Sequence, residues 1–247
     1  MIKLQNISVV FNEGTKFEKK VLDNISLSIA AGKGVAIRGG NGAGKSTLVK
    51  VIAGEIKSTH GRVLINNKDY TKKSIVERSH IISRVFQDHM LGTALDMTVL
   101  ENMLFASKRG MKRHFSLLNA KSQHEFFIER LSELKMGLEE KLDYQVKYLS
   151  GGQRQALSLV MAVLNPCKLL ILDEHTSALD DKTAHIVMQM TMEVVRKHSV
   201  TTLMITHDPN EAAFCDQILE IREGKIYEEG SMNNDELTYR KITNNSI

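Results

Sequence analysis

The sequence contains few cysteines and few prolines. Cys167 and Cys215 are the only two cysteines among the 247 residues, and Pro166 and Pro209 are the only two prolines. Two isolated cysteines are too few for a disulfide framework or a CxxC metal pair, so we expect reduced, buried thiols. Because proline interrupts regular structure, its scarcity predicts long helices and strands with few breaks.

A long hydrophobic run is also missing. The longest apolar stretch, 156–164, contains Ser158 and ends before Asn165 and Pro166. A membrane-spanning helix needs about 20 consecutive apolar residues, so this stretch is too short to cross a bilayer. Residues 1–5 alternate like a strand and lack the apolar core of a signal peptide. We therefore expect any work at a membrane to go through a partner.

The bulk composition is ordinary for a globular protein. Hydrophobic residues make up 42% of the chain, charged residues make up 25%, and the formal net charge is +4. Such a modest charge does not by itself indicate a nucleic acid or a membrane surface as partner. The basic run at 108–114 is more typical of a solvated loop than of a binding patch.

The alternation of apolar patterns predicts an α/β fold. Ile2–Phe11 and residues 21–29 are interpreted as two strands joined by a polar turn, and helical patterns follow several later strands. Strands that alternate with helices indicate a parallel sheet with crossover helices. Further strands are predicted at 34–38, 62–65, 81–86, 169–172, 201–205, 218–221 and 226–228. Helices are predicted at 46–53, after residue 150, at 181–197 and at 209–215.

One region departs from this alternation. Between residues 98 and about 138 the apolar spacing is helical, which predicts a helical subdomain inserted into the sheet domain, covering about 95–160. The residues from 231 to 247 are polar and are interpreted as a C-terminal tail or a short helix. The predicted organisation is thus one domain over 1–230 followed by that tail.

Residues 39–46 match the phosphate-loop pattern G-x-x-x-x-G-K-[ST]. A strand is predicted before this phosphate loop and a helix after it, which is the required context. Glycines let successive backbone N–H groups point at phosphate oxygens, and the helix N-terminus adds partial positive charge. Lys45 can reach the β- and γ-phosphates, and the Ser46 hydroxyl can bind Mg²⁺. The predicted nucleotide contacts are Gly39, Asn41, Gly42, Ala43, Gly44, Lys45, Ser46 and Thr47.

Two carboxylates end a second apolar run. Asp173 and Glu174 follow residues 169–172, as expected for a buried parallel strand whose tip faces a ligand crevice. Asp173 would hold Mg²⁺ directly or through water, and Glu174 could polarise an attacking water. In isolation, two acidic residues that cap a strand are common, but in a chain with a phosphate loop the functional interpretation is favoured.

With the segment Leu149-Ser150-Gly151-Gly152-Gln153, the chain resembles the nucleotide-binding subunits of ATP-binding cassette (ABC) transporters. The signature segment (149–153) matches the family's LSGGQ motif letter for letter. The resemblance implies a P-loop NTPase of the ABC type, with a parallel-sheet core, an N-terminal antiparallel β subdomain and an inserted helical subdomain. It also implies ATP hydrolysis with Mg²⁺ in a head-to-tail dimer. Ser150 and Gly152 would then contact the γ-phosphate held by the other subunit, and Gln153 belongs to the same nucleotide-binding set.

Three smaller motifs add to the resemblance. Gln87 lies where the family places a glutamine that senses Mg²⁺ and the attacking water, which makes it a candidate metal ligand. His207 matches the switch histidine that contacts the γ-phosphate, and 177–180 matches a loop that crosses the dimer interface. Alone, each has a plain structural alternative: a surface glutamine, a capping or core histidine, and a helix N-cap at Asp180. Together, at family spacing, they favour the functional interpretation.

Adenine recognition in the family usually uses an aromatic residue near the end of the first strand. Phe11 fits this position best, and Phe17 in the following loop is the competitor. Stacking contributes little specificity, so the sequence does not decide between them. An ordinary core residue at the end of a strand is the remaining alternative for Phe11.

The subtype follows from several absences. There is no second phosphate loop and no long coiled coil, which counts against relatives that act on ribosomes or DNA. Residues 142–148 do not resemble the TxVGExG element of many exporters, so an importer is favoured. The resemblance then implies a membrane permease, an extracytoplasmic solute-binding protein and a location at the cytoplasmic face of the membrane. No nucleic acid is expected; a soluble ABC ATPase acting on nucleic acid or ribosomes is the alternative, supported only by the basic run.

A few short segments point to a subgroup. His175 stands where most family members have proline, and segments 86–88, 92–94 and 173–180 look like those of putative amino-acid importers, including tryptophan uptake systems. The membrane subunits of that subgroup resemble branched-chain amino-acid permeases. His175 could perturb the nearby site electrostatically, although a simple structural substitution is the plainer interpretation.

Overall fold

The computed structural model describes residues 1–88, 90–110, 120–229 and 239–241, which form two β-sheets and seven α-helices. The strands are β1 (Ile2–Phe11), β2 (Lys19–Ile29), β3 (Gly34–Arg38), β4 (His60–Ile65), β5 (Lys68–Asp69), β6 (Ile82–Val85), β7 (Leu169–Asp173), β8 (Thr202–Ile205), β9 (Gln217–Arg222), β10 (Lys225–Glu229) and β11 (Tyr239–Lys241). The helices are α1 (Lys45–Ala53), α2 (Ile75–Ser79), α3 (Val99–Ser107), α4 (Ala120–Ser132), α5 (Gly151–Val163), α6 (Asp181–Lys197) and α7 (Pro209–Ala212).

The first sheet is antiparallel, with strand order β2-β1-β4-β5. Strand β1 lies between β2 and β4, and Ile2 pairs with Ile29 on one side and Ile65 on the other. The pairing register of β1 shifts after Leu4, and Ile7 returns to the buried face beyond the shift. Side chains of a regular strand alternate between its two faces, so Leu4 and Ile7, three residues apart, would point to opposite faces. The bulge between them lets both side chains be buried on the same face. The N-terminal antiparallel sheet expected from the sequence is confirmed.

The second sheet has the order β11-β10-β9-β3-β8-β7-β6. Strands β9, β3, β8, β7 and β6 are parallel, and β10 joins the β9 edge in antiparallel orientation. Both faces of this sheet are covered: Leu169 and Ile171 of β7 belong to one core cluster, and Leu170 and Leu172 belong to another. This two-sided burial explains the continuous apolar run in the sequence.

The two core clusters lie on opposite faces of the second sheet. One fills the space between the two sheets and includes the buried side of α1. The other lies under α3, α4, α5 and α6, with Phe127 and Met103 fully buried in it. The helices α3 and α4 lie where the sequence predicted an inserted helical region. This arrangement exposes the carboxyl ends of the parallel strands between the two clusters.

Some elements were not anticipated. Helix α2 carries exposed Ile75 and Val76, so its apolar spacing gives no amphipathic signal. It is instead defined by a capping box between Ser74 and Glu77, and it is anchored by Arg78, whose guanidinium donates to two backbone carbonyls of α1. Helix α7 ends at Ala212, three residues before the predicted end. The expectation of a loose tail or short helix at 231–247 is wrong for residues 239–241, which form β11 and pair with β10. The other residues of that tail, and residues 111–114 of the basic run, lie outside the described residues.

The cysteines agree with the sequence expectation only in part, because both side chains are intermediate in burial and not fully buried. Cys167 and Cys215 are both free thiols. Burial raises the pKa of both thiols, that of Cys215 to about 12. Within the described ranges, no helix combines the length and the apolarity that a bilayer crossing requires.

Candidate functional site

A cleft of about 680 Å³ opens at the carboxyl ends of the parallel strands. The loops after β3, β6, β7 and β8 all emerge at this edge, because the strands run in one direction. They bring the phosphate loop (39–46), Gln87, Glu174 and His207 into one neighbourhood. The cleft is lined by Phe11, Asn12, Phe17, Lys19, Val21, Asn41, Gly42, Gly44, Lys45, Ser46, Thr47, Gln87 and Glu174.

The phosphate loop ends at an uncapped helix N-terminus. Helix α1 begins at Lys45, and its N-cap Gly44 has a φ of 113° and offers no side-chain hydrogen bond. The N–H groups of a first helical turn have no intrahelical acceptor, so they point outward with the positive end of the helix dipole. A Cβ on Gly39 would overlap the backbone oxygen of Ile221 in β9, which leaves room only for glycine there. The loop therefore forms a backbone cradle suited to an anion.

Lys45 places a buried positive charge inside that cradle. Its side chain is 8% exposed, and Nζ donates to the backbone oxygens of Gly39 at 2.8 Å and Gly40 at 3.1 Å. The Nζ atom also lies 3.9 Å from Glu174 Oε1. Desolvation lowers the pKa of Lys45, and the charges of Glu174 and Asp173 oppose that shift. The Lys45 ammonium is thus held where the phosphates of a nucleotide bound in the phosphate loop would lie.

Glu174 connects the phosphate loop with the loop after β8. Its Oε1 atom lies 2.8 Å from His207 Nε2 and faces Lys45 on the other side. The backbone of Glu174 has a φ of 47°, and its N–H donates to Ile205 O at 2.9 Å. This left-handed turn ends β7 and aims the carboxylate into the cleft. Lys45, Glu174 and His207, which the sequence predicted separately, therefore meet in one place.

Asp173 has a partner that the sequence analysis missed. Arg84 of β6 donates from Nη2 to Asp173 Oδ2 at 2.5 Å and from Nη1 to Glu55 Oε1 at 2.6 Å. The Arg84 guanidinium also lies 4.6 Å from the centre of the Phe86 ring. A single charged residue within an apolar strand requires a partner when it is buried, and this signal was readable at Ile82–Val85. The pair fixes the orientation of the Asp173 carboxylate.

Gln87 also lines the cleft. Its Nε2 donates to Ser177 Oγ at 3.2 Å, and Ser177 Oγ donates to Glu174 O at 2.8 Å. The amide is therefore linked through Ser177 to the backbone of Glu174. This linkage connects the loop after β6 with the loop after β7.

Both aromatic candidates line the cleft. Phe11 is 38% exposed and Phe17 is 81% exposed, so neither side chain is part of the core. The interpretation of Phe11 as an ordinary core residue is therefore wrong. Lys19 and Val21, which begin β2, lie beside them and were not anticipated as cleft residues. No sequence motif marks these two positions, because they reach the cleft only through the pairing of β1 with β2.

The signature segment (149–153) lies elsewhere in the chain's own fold. Its residues do not line the cleft, as far as the described residues go. Ser150 is the N-cap of α5, and its hydroxyl accepts the Gln153 N–H while Gln153 Oε1 accepts the Ser150 N–H. Gln153 also donates from Nε2 to Met136 O at 3.1 Å. The Gln153 side chain is thus used inside the chain, and Ser150 remains exposed.

Gly152 is buried for a packing reason. A Cβ at this position would overlap the Cγ2 atom of Thr183 in α6. The glycine therefore lets α5 and α6 approach closely at the start of the signature helix. The sequence identified Gly152 as a phosphate contact and gave no sign of this contact with α6.

Comparison with known proteins agrees with this geometry. The family model described as "ABC transporter" matches residues 22–177. The chain belongs to the ABC transporter family. The resemblance inferred from the motifs is thereby confirmed, and so are the α/β cassette fold and the assignment as an ATP-binding subunit.

Two relatives and one solved structure show which proteins this ABC transporter chain is similar to. It is 40% identical over 231 residues to the "Tyrosine transport ATP-binding protein" of Clostridioides difficile (strain R20291), covering 92% of this chain and 90% of that protein. It is 35% identical over 236 residues to the "Methionine import ATP-binding protein MetN" of Histophilus somni (strain 129Pt), covering 94% of this chain and 65% of that protein. A solved dimeric structure of the cassette MJ0796, in a post-hydrolysis state bound to ADP and Pi, shares 28% identity. Its TM-score is 0.74, and the match covers 91% of this chain and 95% of that one.

This ABC transporter subunit binds ATP and hydrolyses it to ADP and phosphate. The uncapped N-terminus of α1 and the buried Lys45 ammonium supply the positive potential that a triphosphate requires. The Glu174 carboxylate provides a negative group at the same end of the cleft. The geometry thus fits the activity of the family.

Proposed function

We propose that this ATPase subunit powers the import of a small solute, an amino acid in particular, through a separate membrane permease. The observation that carries the substrate class is the 40% identity, over nine-tenths of both chains, to a tyrosine transport ATP-binding protein. The similarity to a methionine import ATP-binding protein points to the same class. The short segments around His175 that look like those of amino-acid importers agree with it.

In the proposed reaction, Glu174 positions the attacking water or accepts its proton. Lys45 and the first turn of α1 bind the phosphates and offset the charge that develops during transfer. His207 bonds to the same Glu174 oxygen that faces Lys45, so it is placed to contact the transferring phosphate group. Phe11 or Phe17 would stack on adenine, because both rings line the cleft.

The cleft also fits a magnesium ion. Ser46, Gln87 and Asp173 offer hydroxyl, amide and carboxylate oxygens, which are the ligands that Mg²⁺ prefers. One Asp173 oxygen is bonded to Arg84, so the other is the one available to a cation. When bound, Mg²⁺ neutralises phosphate charge. Few protein ligands are needed, because phosphates and waters complete its coordination shell.

We further propose that a second copy completes each site. Ser150 is exposed at the N-terminus of α5 and the signature segment is not part of the cleft in its own chain. A head-to-tail dimer would turn this helix end and the amides of Gly151 and Gly152 toward the partner's phosphates. The similar cassette solved as a dimer supports this assembly.

The remaining partners are proposed from the transporter family. The permease would bind at the inner face of the membrane, and an extracytoplasmic solute-binding protein would deliver the solute. Met90, Leu91 and Phe105 are large exposed apolar residues in the segments after β6 and in α3. We propose that these side chains contribute to the permease contact, because contiguous apolar patches mark surfaces that bind another protein. We also propose that 1–230 form one ATPase domain, with a helical subdomain at about 95–160 and a tail at 231–247.

Isolation of the intact complex from native membranes tests this proposal. The expected subunits are this chain, a membrane permease and a solute-binding protein. Reconstituted in liposomes with Mg²⁺ and ATP present, the complex should show ATPase stimulation by one or a few amino acids and none by sugars offered as the transported solute. Recovery of this chain with ribosomes or DNA at physiological salt, and without a membrane subunit, would contradict it.

A further inference from the structure

Two buried threonines flank the catalytic loops. Thr176 follows Glu174 by two residues in the loop after β7, and Thr206 precedes His207 in the loop after β8. Thr176 is 3% exposed and Thr206 is 2% exposed. Neither lines the cleft. Buried hydroxyls need hydrogen-bond partners, so these two positions call for an acceptor within the fold.

Both hydroxyls donate to the same side chain. Thr176 Oγ1 donates to Glu211 Oε1, and Thr206 Oγ1 donates to Glu211 Oε2. Glu211 belongs to α7, which follows the loop that carries His207. A carboxylate accepts hydrogen bonds through both oxygens, which allows one residue to hold two separate loops. Charged acceptors also form stronger hydrogen bonds than neutral ones.

Glu211 is itself anchored. The Asp208 side chain caps α7 by accepting the Asn210 N–H, and the Asp208 N–H donates to Thr206 Oγ1 at 3.0 Å. Ala212, the next residue, is fully buried. The short helix therefore presents the Glu211 carboxylate from a fixed position.

We propose that Glu211 is a positioning residue for ATP hydrolysis, because it sets the distance between Glu174 and His207. These two side chains meet at 2.8 Å although they emerge from different strands, and His207 is 48% exposed. The Glu174 N–H bond to Ile205 O fixes the strand ends. The two threonine bonds to Glu211 fix the loops beyond those ends. Small displacements of reacting groups lower rates strongly. The two threonine hydrogen bonds to Glu211, which we call the brace, therefore affect turnover.

The inference rests on the proposed roles of Glu174 and His207 and assigns Glu211 no contact with ATP. It therefore predicts a separation of binding from turnover. Glu211→Gln keeps the size of the side chain but replaces one acceptor oxygen with an NH₂ donor that faces a hydroxyl. We expect kcat to fall about tenfold while the Kd for ATP changes by less than about twofold.

A double-mutant cycle tests whether the brace is the cause. Thr176→Val removes the hydroxyl and keeps the shape, and we expect kcat to fall about fivefold in the full-length chain with saturating Mg²⁺ and ATP. Thr176→Ser keeps the hydroxyl and should retain the activity of the unmodified chain. Both substitutions remove the same hydrogen bond between Thr176 and Glu211. The double variant Glu211→Gln/Thr176→Val should therefore lose about tenfold in kcat, and not the roughly fiftyfold product of the two single losses.

Glu77→Gln is the matched control. Glu77 also accepts hydrogen bonds in a short helix, α2, but it lies away from the cleft. The kcat of Glu77→Gln should equal that of the unmodified chain, although its melting temperature should fall by a similar amount to that of Glu211→Gln. Full activity of Glu211→Gln, or losses that multiply in the double variant, would overturn the inference. Should Glu211→Gln fail to fold, an unchanged kcat in Thr176→Val would overturn it as well.

Failure of the proposed function has a different pattern. If Glu174→Gln and His207→Ala retain full turnover, the roles assigned to these residues are wrong. If both variants are defective and Glu211→Gln is not, only the brace is wrong. Measuring kcat and Kd for all of these variants in one series distinguishes the two failures.

Discussion

The starts of α1 and α5 are two helix N-termini that lie at glycine-containing family motifs, but they are built differently. At α1, the N-cap is Gly44 and no side chain satisfies the first N–H groups. At α5, Ser150 and Gln153 form a complete capping box. The first therefore depends on a ligand for its hydrogen bonds, whereas the second is partly satisfied within the chain.

Their surroundings differ as well. The α1 terminus opens into the cleft with Lys45 and Glu174 beside it. The α5 terminus is exposed at Ser150 and closed at Gly152, which packs against Thr183. One terminus forms most of a binding site within its own chain, and the other is a rigid surface presented outward. Two glycine-containing motifs of one chain thus end in different structures: an open cleft at α1 and a self-capped, outward-facing helix end at α5.

The largest expected effect concerns the α1 side. Glu174→Gln keeps the bonds of the loop but removes the charged oxygen that faces Lys45 and His207. We expect kcat to fall at least about a hundredfold with ATP affinity unchanged within about threefold, because the change acts on the transition state. Turnover and fluorescent-nucleotide binding measure the two effects.

The control for this change is Glu193→Gln on the exposed face of α6. This variant should match the unmodified chain in both kcat and ATP affinity. Full turnover in Glu174→Gln would show that the α1 site is not completed by the carboxylate of its own chain.

The next largest effect tests whether the α1 site of one subunit is completed by the signature segment of the other. Lys45→Ala disables the α1 side and Ser150→Ala disables the α5 side, so each variant alone should lose at least about tenfold in turnover. In an equal mixture, half of the dimers combine one intact α1 site with one intact signature segment. We therefore expect the mixture to regain up to about a quarter of the original activity.

A mixture no more active than its components would place the signature segment in the same subunit's site and remove the contrast between the two helix ends. The control for the helix cap that Ser150→Ala removes is Thr98→Ala. Thr98 and Glu101 form an equivalent capping box at α3. Thr98→Ala should therefore lower the free energy of unfolding by about 1 kcal/mol, as Ser150→Ala does, while its turnover stays unchanged.

The smallest effect concerns the packing of the α5 terminus. Gly152→Ala should destabilise the fold by about 1–3 kcal/mol, because the new methyl group meets Thr183 Cγ2. Thr183→Ser removes that methyl group, so the double variant should regain most of the lost stability. Urea denaturation of the four chains measures the free energies of unfolding. Equal destabilisation in the single and double variants would mean that the glycine serves the backbone and not the contact with α6.

Local motifs were predictable because their residues are contiguous. The phosphate loop, the carboxylates at the end of β7 and the strand-helix alternation around them agree with the structure, since each depends on neighbours in the chain. The pairing of Arg84 with Asp173 was missed, although a lone arginine in the apolar strand β6 was a usable signal. The role of Gln153 inside its own chain was missed as well, because Met136 lies in a turn that no motif marks.

By itself the sequence determined the local motifs of this ABC transporter subunit: a glycine-rich loop with its lysine, two carboxylates at the end of a strand, and a signature segment. Only the tertiary structure decided which of them meet. The order of the parallel strands brings Lys45, Glu174 and His207 to one edge, and the buried hydroxyls of Thr176 and Thr206 converge on Glu211. The physical reason is that hydrogen bonds between distant residues depend on strand order and helix packing, which a local motif does not contain.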